Sequence, residues 1–479
     1  MDRALRLLAA TAFVATATTA TTACITDATP PVTGGSGSSS GDPDPSASSA
    51  ETTSAVDDGG TSTSADPTED TTGTAMCGNG RVETGEECDE QSPACNDDCS
   101  FVCGVDSTHV ADVLDASRIL FSTPPRAIED GTGDLMIAVS RGASRIDDAG
   151  DNVWIRTSWP GTWTTGLVLA GDGTLWRIGE TTPGSFLRRY DTTTGDQIFS
   201  TPLPPGPGGP DSLARGLALA PDGGVLTQRM VFTDAMTRVV RVERFSPDGS
   251  MVEWTTDLVG PPSANGFSID AGHGLVVSPE GEIFSLGRDY LDFDTDEPLV
   301  VKLDADGNQL WREVFYGGDI DTNSSAPAGT AIDDGGFVAL GFRQLPGAHT
   351  VGIIPEINQS IARFDDGGGI TWEVDPATFS KEGHVQLNTI DQLPDGVLAF
   401  AGTILYEDTG DAVFGYIDVA DGSLLCMSNV FHRSAPLNLG ESLFVGADGT
   451  LMMIMGVDDL QPDNNLTEGR WIAALRPLQ

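Results

Sequence analysis

The stretch that decides the fold is Val300-Val-Lys-Leu-Asp-Ala-Asp-Gly-Asn-Gln-Leu-Trp-Arg-Glu-Val-Phe315. An Asp-Gly pair stands between two apolar runs, which is a strong local signal for a β-hairpin. Related segments recur through most of the 479-residue chain. The sequence therefore predicts an all-β protein built from repeated hairpins.

Two kinds of hairpin alternate along the chain. The first kind has an apolar run, an acidic-Gly turn and a second apolar run, and clear copies begin at Gly166, Gly216, Gly274 and Gly329. The second kind starts with a basic residue and often ends in Trp, with copies at Arg145, Arg189, Arg244, Lys302 and Arg363. One hairpin of each kind makes a four-stranded unit, as in a propeller blade.

The turn glycines give the number of units. Seven of them recur at blade-like spacing, at Gly133, Gly173, Gly223, Gly281, Gly335, Gly396 and Gly449. We therefore expect a seven-bladed β-propeller over residues 105–479, with an open solenoid or a ring of six or eight blades as alternatives. The last unit lacks a fourth strand, and Arg118-Ile-Leu-Phe-Ser-Thr-Pro-Pro125 is expected to complete it and so close the ring.

The turns also resemble a known family. Asp-x-Thr-Gly and Asp-x-Asp-Gly turns followed by Trp, such as Asp304-Ala-Asp-Gly307 before Trp311, are similar to the blade motifs of quinoprotein-type propellers. This resemblance implies a fold and its packing residues. It does not imply quinone chemistry, because the chain lacks the adjacent cysteine pair associated with quinone binding in those dehydrogenases.

The N-terminus predicts export. Met1 to Arg6 is basic and Leu7 to Ala23 is apolar and uncharged, which is typical of a signal peptide over residues 1–23. Cys24 follows Thr-Ala and resembles the lipobox cysteine of bacterial lipoproteins, which implies a lipid anchor on its sulfur. Thr21 replaces the usual Leu of that motif, so ordinary secretion stays an alternative. Ile25 differs from the inner-membrane retention Asp, which favours the outer membrane or cell surface.

Residues 24–76 are expected to form a disordered linker. Beyond Cys24 they contain no Lys, Arg or aromatic residue and are dominated by Ser, Thr, Gly, Pro, Ala and Asp. Such a segment buries too little apolar surface to offset the entropy of ordering the chain. It is therefore predicted to act as a tether that holds the folded part away from the membrane.

Residues 77–104 form a small cysteine-rich module. Its cysteines are Cys77, Cys88, Cys95, Cys99 and Cys103. In an exported chain this density indicates disulfides, while the spacing of the last three leaves a zinc site as the alternative. The strings Cys77-Gly-Asn-Gly and Gly85-Glu-Glu-Cys88-Asp resemble the myxobacterial cysteine-rich repeat, which implies a surface protein. Because five cysteines are an odd number, we expect Cys103 or another member to pair with Cys426.

Composition and motifs exclude several functions. A net charge of -46 repels phosphate backbones, so nucleic-acid binding is not expected. The chain has no HExxH, GxSxG, phosphate-loop or dinucleotide motif, and no catalytic or metal-binding residue is assigned. Acidic clusters at Asp292–Glu297 and Asp304–Asn308 raise Ca²⁺ as a minor alternative to a turn role, because they do not follow the EF-hand pattern.

The propeller geometry suggests where a ligand would bind. Loops that lead into the innermost strands gather at one end of the central channel, and we place seven residues in them: Trp159, Trp163, Arg215, His273, His384, His432 and Arg433. Such residue types fit an anionic ligand or a sugar stacked on Trp. The alternative is that they are ordinary loop residues.

The sequence thus predicts an exported, membrane-anchored propeller that acts as a binding or scaffold module for a protein or carbohydrate ligand at the cell surface. The alternative is a propeller enzyme, either a hydrolase or lyase or a quinoprotein-like oxidoreductase, with a site at the channel mouth.

Overall fold

The computed structural model describes residues 110–112, 126–129, 134–139, 142–147, 152–156, 163–180, 184–208, 212–233, 238–258, 269–290, 296–315, 324–343, 350–351, 354–355, 358–381, 383–393, 396–406, 409–430, 437–445, 451–460 and 466–475. All of them belong to the compact unit Thr71–Gln479. The predictions for the signal peptide, the linker and the cysteine-rich module fall outside these residues.

The strands follow one another as antiparallel meanders, after a short first strand β1 (Val110–Asp112). Blade I contains β2 (Arg126–Glu129), β3 (Leu135–Val139), β4 (Gly142–Ile146) and β5 (Asn152–Arg156). Blade II contains β6 (Trp163–Leu169), β7 (Thr174–Glu180), β8 (Ser185–Asp191) and β9 (Gln197–Leu203). Blade III contains β10 (Ser212–Leu219), β11 (Val225–Phe232), β12 (Arg238–Phe245) and β13 (Val252–Leu258).

The second half of the chain continues the pattern. Blade IV contains β14 (Ile269–Val277), β15 (Ile283–Tyr290), β16 (Asp296–Leu303) and β17 (Gln309–Val314). Blade V contains β18 (Ser324–Ala331), β19 (Phe337–Arg343), β22 (Asn358–Phe364) and β23 (Ile370–Val374), with a small hairpin of β20 (Thr350–Val351) and β21 (Ile354–Pro355) inserted between its second and third strands. A 3-10 helix, Pro376–Phe379, follows blade V.

Blade VI is an eight-stranded sheet. It contains β24 (His384–Gln392), β25 (Val397–Leu405), β26 (Gly410–Asp418), β27 (Leu424–Val430), β28 (Leu437–Val445), β29 (Leu451–Leu460), β30 (Leu466–Leu475) and β1. In the residues that the structure describes, no helix is long and apolar enough to cross a membrane.

The prediction of seven separate blades is wrong, because the described residues form six blades. Gly410 at the start of β26 pairs in parallel with Leu437 at the start of β28, and this pairing merges the last two predicted four-stranded units into one sheet. Turn spacing counts repeats of the strand pattern. It contains no information on hydrogen bonds between neighbouring repeats, which is why the sequence missed the merger.

The predicted closing segment is also wrong in position. The last strand β30 pairs on its outer edge with β1, with Val110 opposite Ala473 and Asp112 opposite Trp471. The segment 118–125, expected there, lies outside the described residues. An N-terminal strand therefore does cover the edge of the last sheet, but it comes from further upstream.

The first strands of the units stand side by side at the centre. β2, β6, β10, β14, β18, β24 and β28 each contact the next one, and β28 contacts β2, so that these inner strands form a closed ring. Blade VI supplies two of them, β24 and β28. The hydrophobic core lies between neighbouring sheets, where for example Leu217 and Ala214 of β10 pack against Trp176 and Ile178 of β7.

Repeated contacts near the outer strands join one blade to the next. Four Trp side chains on fourth strands donate their Nε1–H to a carbonyl in the following blade: Trp154 to Thr192 at 2.8 Å, Trp254 to Ala305 at 3.2 Å, Trp311 to Asp366 at 2.9 Å and Trp372 to Val419 at 2.9 Å. Each accepting turn contains a left-handed glycine against the same Trp ring, namely Gly195, Gly307, Gly368 and Gly422. We call these pairs the rim contacts.

Within blades I to V a second contact repeats. The basic residue that opens the second hairpin pairs with an acid near the turn of the first hairpin: Arg145 with Asp134, Arg189 with Asp172, Arg244 with Asp222, Lys302 with Glu282, and Arg363 with Asp334. The alternation of hairpins that the sequence displays is thus matched by an ion pair between the two hairpins.

Candidate functional site

Six of the inner strands carry a β-bulge at or just before the middle of the strand. Their pairing with the second strand of the unit skips between Thr164 and Gly166, Ala214 and Gly216, Ala271 and Gly274, Ser325 and Ala328, Leu387 and Thr389, and Gly440 and Ser442. The skipped residues are Thr165, Arg215, Gly272, His273, Ala326, Pro327, Asn388 and Glu441. We call them the bulge ring. A bulge takes its residue out of the regular alternation of the strand and often marks a functional site.

Glycines fix the bulges of blades II and III. A Cβ atom on Gly166 would lie 2.6 Å from Leu217 Cβ, and one on Gly216 would lie 2.9 Å from Leu275 Cβ. These distances are too short for any larger side chain, so the inner strands approach each other closely directly after the bulge. This close approach fixes the position of the bulge at Arg215 relative to the bulge of β14.

A hydrogen bond fixes the bulges of blade VI. Asn388 Nδ2 donates to the carbonyl oxygen of Gly440 at 2.7 Å, and so links the bulge of β24 to the residue before Glu441. A Cβ atom on Gly440 would lie 2.4 Å from the carbonyl oxygen of Gly402, so this backbone is also closely packed. The backbone that presents Glu441 is therefore restrained on two sides.

Buried amides connect neighbouring blades close to this level. Gln359 Nε2 donates to the carbonyl oxygen of Leu387 at 2.7 Å, and its Oε1 accepts from the N–H of the same residue at 2.5 Å. Gln228 Nε2 donates to Ser285 Oγ at 2.7 Å and to the carbonyl oxygen of Leu286 at 2.9 Å. These hydrogen bonds join neighbouring blades close to the ring, although Gln228 Oε1 is buried without a hydrogen-bond partner among the described residues.

Two carboxyl groups near the inner strands have raised pKa values. Burial raises the pKa of Asp289, which is 2% exposed, although the Arg312 guanidinium next to it acts in the opposite direction. Burial likewise raises the pKa of Asp391 on β24, against the effect of the Thr330 hydroxyl that donates to its Oδ1 at 2.9 Å. Both groups bind a proton more readily than a carboxyl group in water.

The structure brings together part of the predicted ligand face. Arg215 and His273 belong to the bulge ring on the neighbouring strands β10 and β14. Trp163 is the first residue of β6, two residues before Thr165. His384 is the first residue of β24 and lies four residues before the bulge. These four residues lie in strands rather than in loops, and Trp159, His432 and Arg433 lie outside the described residues.

Sequence reasoning missed three polar members of the ring, Thr165, Asn388 and Glu441. The chain does contain a signal for them. Each polar residue of the ring precedes a small residue and then Leu or Ile: Thr165-Gly-Leu, Arg215-Gly-Leu, His273-Gly-Leu, Asn388-Thr-Ile and Glu441-Ser-Leu. From the sequence alone, the glycine in this pattern indicates only the start of a hairpin.

Across the part of the chain that the structure describes, no group of three or more potential ligands is placed to hold a metal ion. Asp304 serves its own turn, because its Oδ1 accepts from the N–H of Asn308 at 2.8 Å and its Oδ2 from Asn308 Nδ2 at 2.9 Å. These bonds, with the Asn308 side chain first, lower the pKa of Asp304. Asp292 lies outside the described residues, and Ca²⁺ binding stays a prediction.

Cys426 lies on β27 opposite Tyr416. It is in a disulfide whose second cysteine lies outside the described residues. The expected pairing of Cys426 with Cys103 or another cysteine of the module therefore stays a prediction.

Comparisons with known proteins inform the fold alone. No family model matches the chain, and no curated protein matches it. Similar solved structures include virginiamycin B lyase from Staphylococcus aureus, at 16% identity and a TM-score of 0.45 over 76% of this chain and 98% of that one. They also include the RRP9 WD40 repeats, at 11% identity and 0.48 over 78% and 99%.

A third similar structure is the quinohemoprotein alcohol dehydrogenase from Comamonas testosteroni, at 11% identity and a TM-score of 0.47 over 78% of this chain and 76% of that one. These neighbours are β-propeller proteins, and they include a quinoprotein dehydrogenase. At such low identity they assign no activity to this chain.

Proposed function

We propose that this protein is an exported, lipid-anchored β-propeller that binds a ligand at the cell surface through the bulge ring. The observation that carries the proposal is the contrast between a repeated frame and a varied ring. The frame uses the same residue types in successive blades, whereas the polar residues at the bulges are Thr, Arg, His, Asn and Glu.

Packing accounts for the frame. Each rim contact pairs a Trp with a glycine turn, and in blades I to V the two hairpins are joined by a basic and an acidic residue, so repetition of the fold favours repetition of these residues. Packing does not account for the ring in the same way, because one backbone geometry, the bulge, accepts six different residue sets. Different chemistry on equivalent backbone positions is what recognition of an asymmetric ligand requires.

The cellular location in this proposal is supported by the sequence alone. Cys24 at the end of an export signal would receive the lipid, and residues 25–76 would form the tether. Growth with an alkyne-labelled fatty acid tests this part. Wild-type protein should become labelled and partition into detergent, and the Cys24→Ala variant should do neither. Labelling of the variant at the wild-type level would contradict a lipid on Cys24.

Binding is tested with defined glycan and peptide arrays probed with the purified protein. Arg215→Gln should weaken the bound probes about tenfold or more, since a charge-assisted hydrogen bond to a ligand contributes roughly 1.5–3 kcal/mol. Arg241→Gln is the matched control. Arg241 pairs with Asp257 through bonds of 2.6 and 2.8 Å and lies outside the ring. Equal binding by both variants would contradict a site at the bulge ring.

A lyase or hydrolase is the second candidate, and the placement of His273 in the ring favours it. Imidazole is the side chain best suited to proton transfer near neutral pH. Mass spectrometry of a bound probe after incubation tests this function. Conversion by the wild type that His273→Gln abolishes would favour the enzyme, and an unchanged probe would favour binding alone.

A further inference from the structure

Cys426 occupies the position on β27 that a rim Trp occupies in other blades. Each rim Trp pairs across the outer hairpin with the basic residue of the third strand: Trp154 with Arg145, Trp254 with Arg244, Trp311 with Lys302 and Trp372 with Arg363. In blade VI the same register pairs Cys426 with Tyr416. Both members of the repeated pair therefore change at β27.

A Trp on β27 would have no turn to contact. Every rim contact uses the turn that joins the third and fourth strands of the following unit. In the unit that follows β27, the third strand is β30 and the fourth is β1, which precedes blade I in the chain. Because no hairpin turn joins β30 to β1, a rim contact cannot form at β27.

The exposure of β27 also differs from that of the other outer strands. In blades I to V the residue directly before the rim position is exposed, namely Val153, Ile198, Glu253, Leu310 and Thr371. Its counterpart Leu425 is partly buried, and no residue from Leu424 to Asn429 is exposed. Among the described residues, β27 pairs with β26 alone. The outer side of β27 is therefore more covered than that of its counterparts, without a described strand beyond it.

The composition of β27 fits a covered strand. Leu424-Leu-Cys-Met427 is apolar at four successive positions, whereas the corresponding stretch of β17, Gln309-Leu-Trp-Arg312, is polar at its two ends. A strand that is apolar on both faces is typical of one that is covered on both faces.

We propose that the outer side of β27 is the docking surface of the cysteine-rich module, residues 77–104, and that Cys103 is the disulfide partner of Cys426. Cys426 is in a disulfide. The chain has seven cysteines, and all except Cys426 lie between residues 24 and 103. The partner therefore comes from the N-terminal part of the chain, where the module contains five of the six candidates. This proposal is independent of ligand binding at the bulge ring.

The residues next to Cys103 match the surface. Cys103 follows two large apolar residues, Phe101 and Val102, and no other cysteine of the module does so. Neither Phe101–Cys103 nor Leu424–Asn429 contains a charged residue. Packing of Phe101 and Val102 on Leu425 and Met427 removes apolar surface from water on both sides, without bringing carboxylates of this acidic chain together.

The disulfide replaces the missing rim contact by a covalent bond. Its formation joins the Cys103 and Cys426 sulfur atoms and removes two protons and two electrons from the two thiols. A disulfide oxidant of the exported compartment takes up the electrons by thiol–disulfide exchange and is itself reduced to a dithiol. Because the bond closes a loop that contains blades I to V, it restricts the unfolded chain and so stabilises the fold.

Hydrogen exchange of the intact, unreduced chain tests the docking. Phe101→Ser keeps every cysteine but removes apolar contact, so the amides of residues 424–430 should exchange about tenfold or more faster than in the wild type. Val82→Ser changes an apolar residue elsewhere in the module and is the matched control, with no expected effect on these amides. Thermal unfolding should confirm that both variants are folded. Unchanged exchange in Phe101→Ser, or equal acceleration in Val82→Ser, would overturn the docking surface.

Thiol labelling of the unreduced protein identifies the partner cysteine. At mildly acidic pH, where thiol–disulfide exchange is slow, Cys426 and the module cysteines of the wild type should remain unlabelled. Cys426→Ser should gain one labelled thiol, at Cys103. Labelling of Cys426 in the wild type, or of a different cysteine in the variant, would overturn the pairing. The array experiment with Arg215→Gln judges ligand binding separately.

Discussion

The rim contacts and the bulge ring join the same blades, yet they use glycine for different physical reasons. At the rim, Gly307 has a left-handed backbone with φ of 83°, and a Cβ there would also lie 2.8 Å from the Trp254 ring. In the inner strands, Gly166 has no such backbone requirement and is needed only because the neighbouring strand is so close. Glycine is needed at the rim mainly for its left-handed backbone, and in the inner strands because no space is left for a side chain.

This difference has a consequence for function. The contact of Gly307 is with the partly buried side chain of Trp254, whereas the contact of Gly166 includes the backbone of Leu217. A substitution at a rim contact should therefore have a local effect and lower stability without weakening ligand binding. A substitution at the glycine of an inner strand should shift a bulge and so lower both stability and ligand binding.

The largest effect is expected for Gly166→Ala. The added Cβ would lie 2.6 Å from Leu217 Cβ and 3.0 Å from Leu217 N, so that β10 must move. We expect a loss of about 2–3 kcal/mol in the free energy of unfolding, the upper range for overpacking. Because Leu217 lies two residues after Arg215, binding of ligand at the ring should also weaken. Urea unfolding and titration with the ring ligand measure the two effects.

Gly171→Ala is the matched control for this substitution. Nothing lies within 4 Å of a Cβ at Gly171, which lies in the turn of the same hairpin. Its stability should stay within about 0.5 kcal/mol of the wild type, and binding should not change. Equal losses of stability in the two variants would mean that space at the inner strands is not what limits Gly166.

A smaller effect is expected at the rim for Gly307→Ala. A left-handed alanine costs about 1 kcal/mol, and contact with the Trp254 ring should add about 1 kcal/mol more. Gly173→Ala has a similar φ of 76° but nothing within 4 Å of its Cβ, so it isolates the backbone cost. Both should bind the ring ligand as the wild type does. Weaker binding by Gly307→Ala alone would break the distinction between rim and ring.

The sequence predicted the elements that repeat and missed those that depend on neighbours. The hairpins, their turn glycines and the Trp residues were evident, because each leaves a local pattern in the chain. The merger of the last two units through Gly410 and Leu437 was not evident, since one pair of residues produces no periodicity. The closing strand was misplaced for a related reason: Val110–Asp112 is too short to stand out.

The candidate site was predicted in part. Arg215 and His273 were predicted because they lead into the innermost strand of a recognised repeat. Asn388 and Glu441 were not predicted, and in these later copies Thr389 and Ser442 stand where the earlier copies have glycine. The chemistry of the ring lies at positions where the residue type varies from repeat to repeat. A repeat pattern gives no information about the residues at such positions.

The smallest expected effect is on the pH dependence of stability, and it contrasts an aspartate of an exposed turn with a buried aspartate near the inner strands. In the turn that contains Gly249, Asp248 Oδ1 accepts hydrogen bonds from Ser246 Oγ at 2.6 Å and from the N–H of Ser250 at 3.0 Å, and these bonds lower the pKa of Asp248 to about 2. Near β14, where Asp289 pairs with Ile269, burial raises the pKa of Asp289 above its ordinary value of 3.8.

The two shifts have opposite signs in stability. The ionised form of Asp248 stabilises the fold above pH 4, and this contribution is lost as the pH falls towards about 2. For Asp289 the folded protein binds the proton more tightly than the unfolded chain. Its contribution therefore grows as the pH falls through the raised pKa, and it is complete below 3.8. Urea unfolding from pH 7 to pH 3 should show Asp289→Asn becoming less stable relative to the wild type as the pH falls. Asp248→Asn should show the reverse trend below pH 4, and slopes of the same sign would mean that burial near the inner strands does not set the Asp289 pKa.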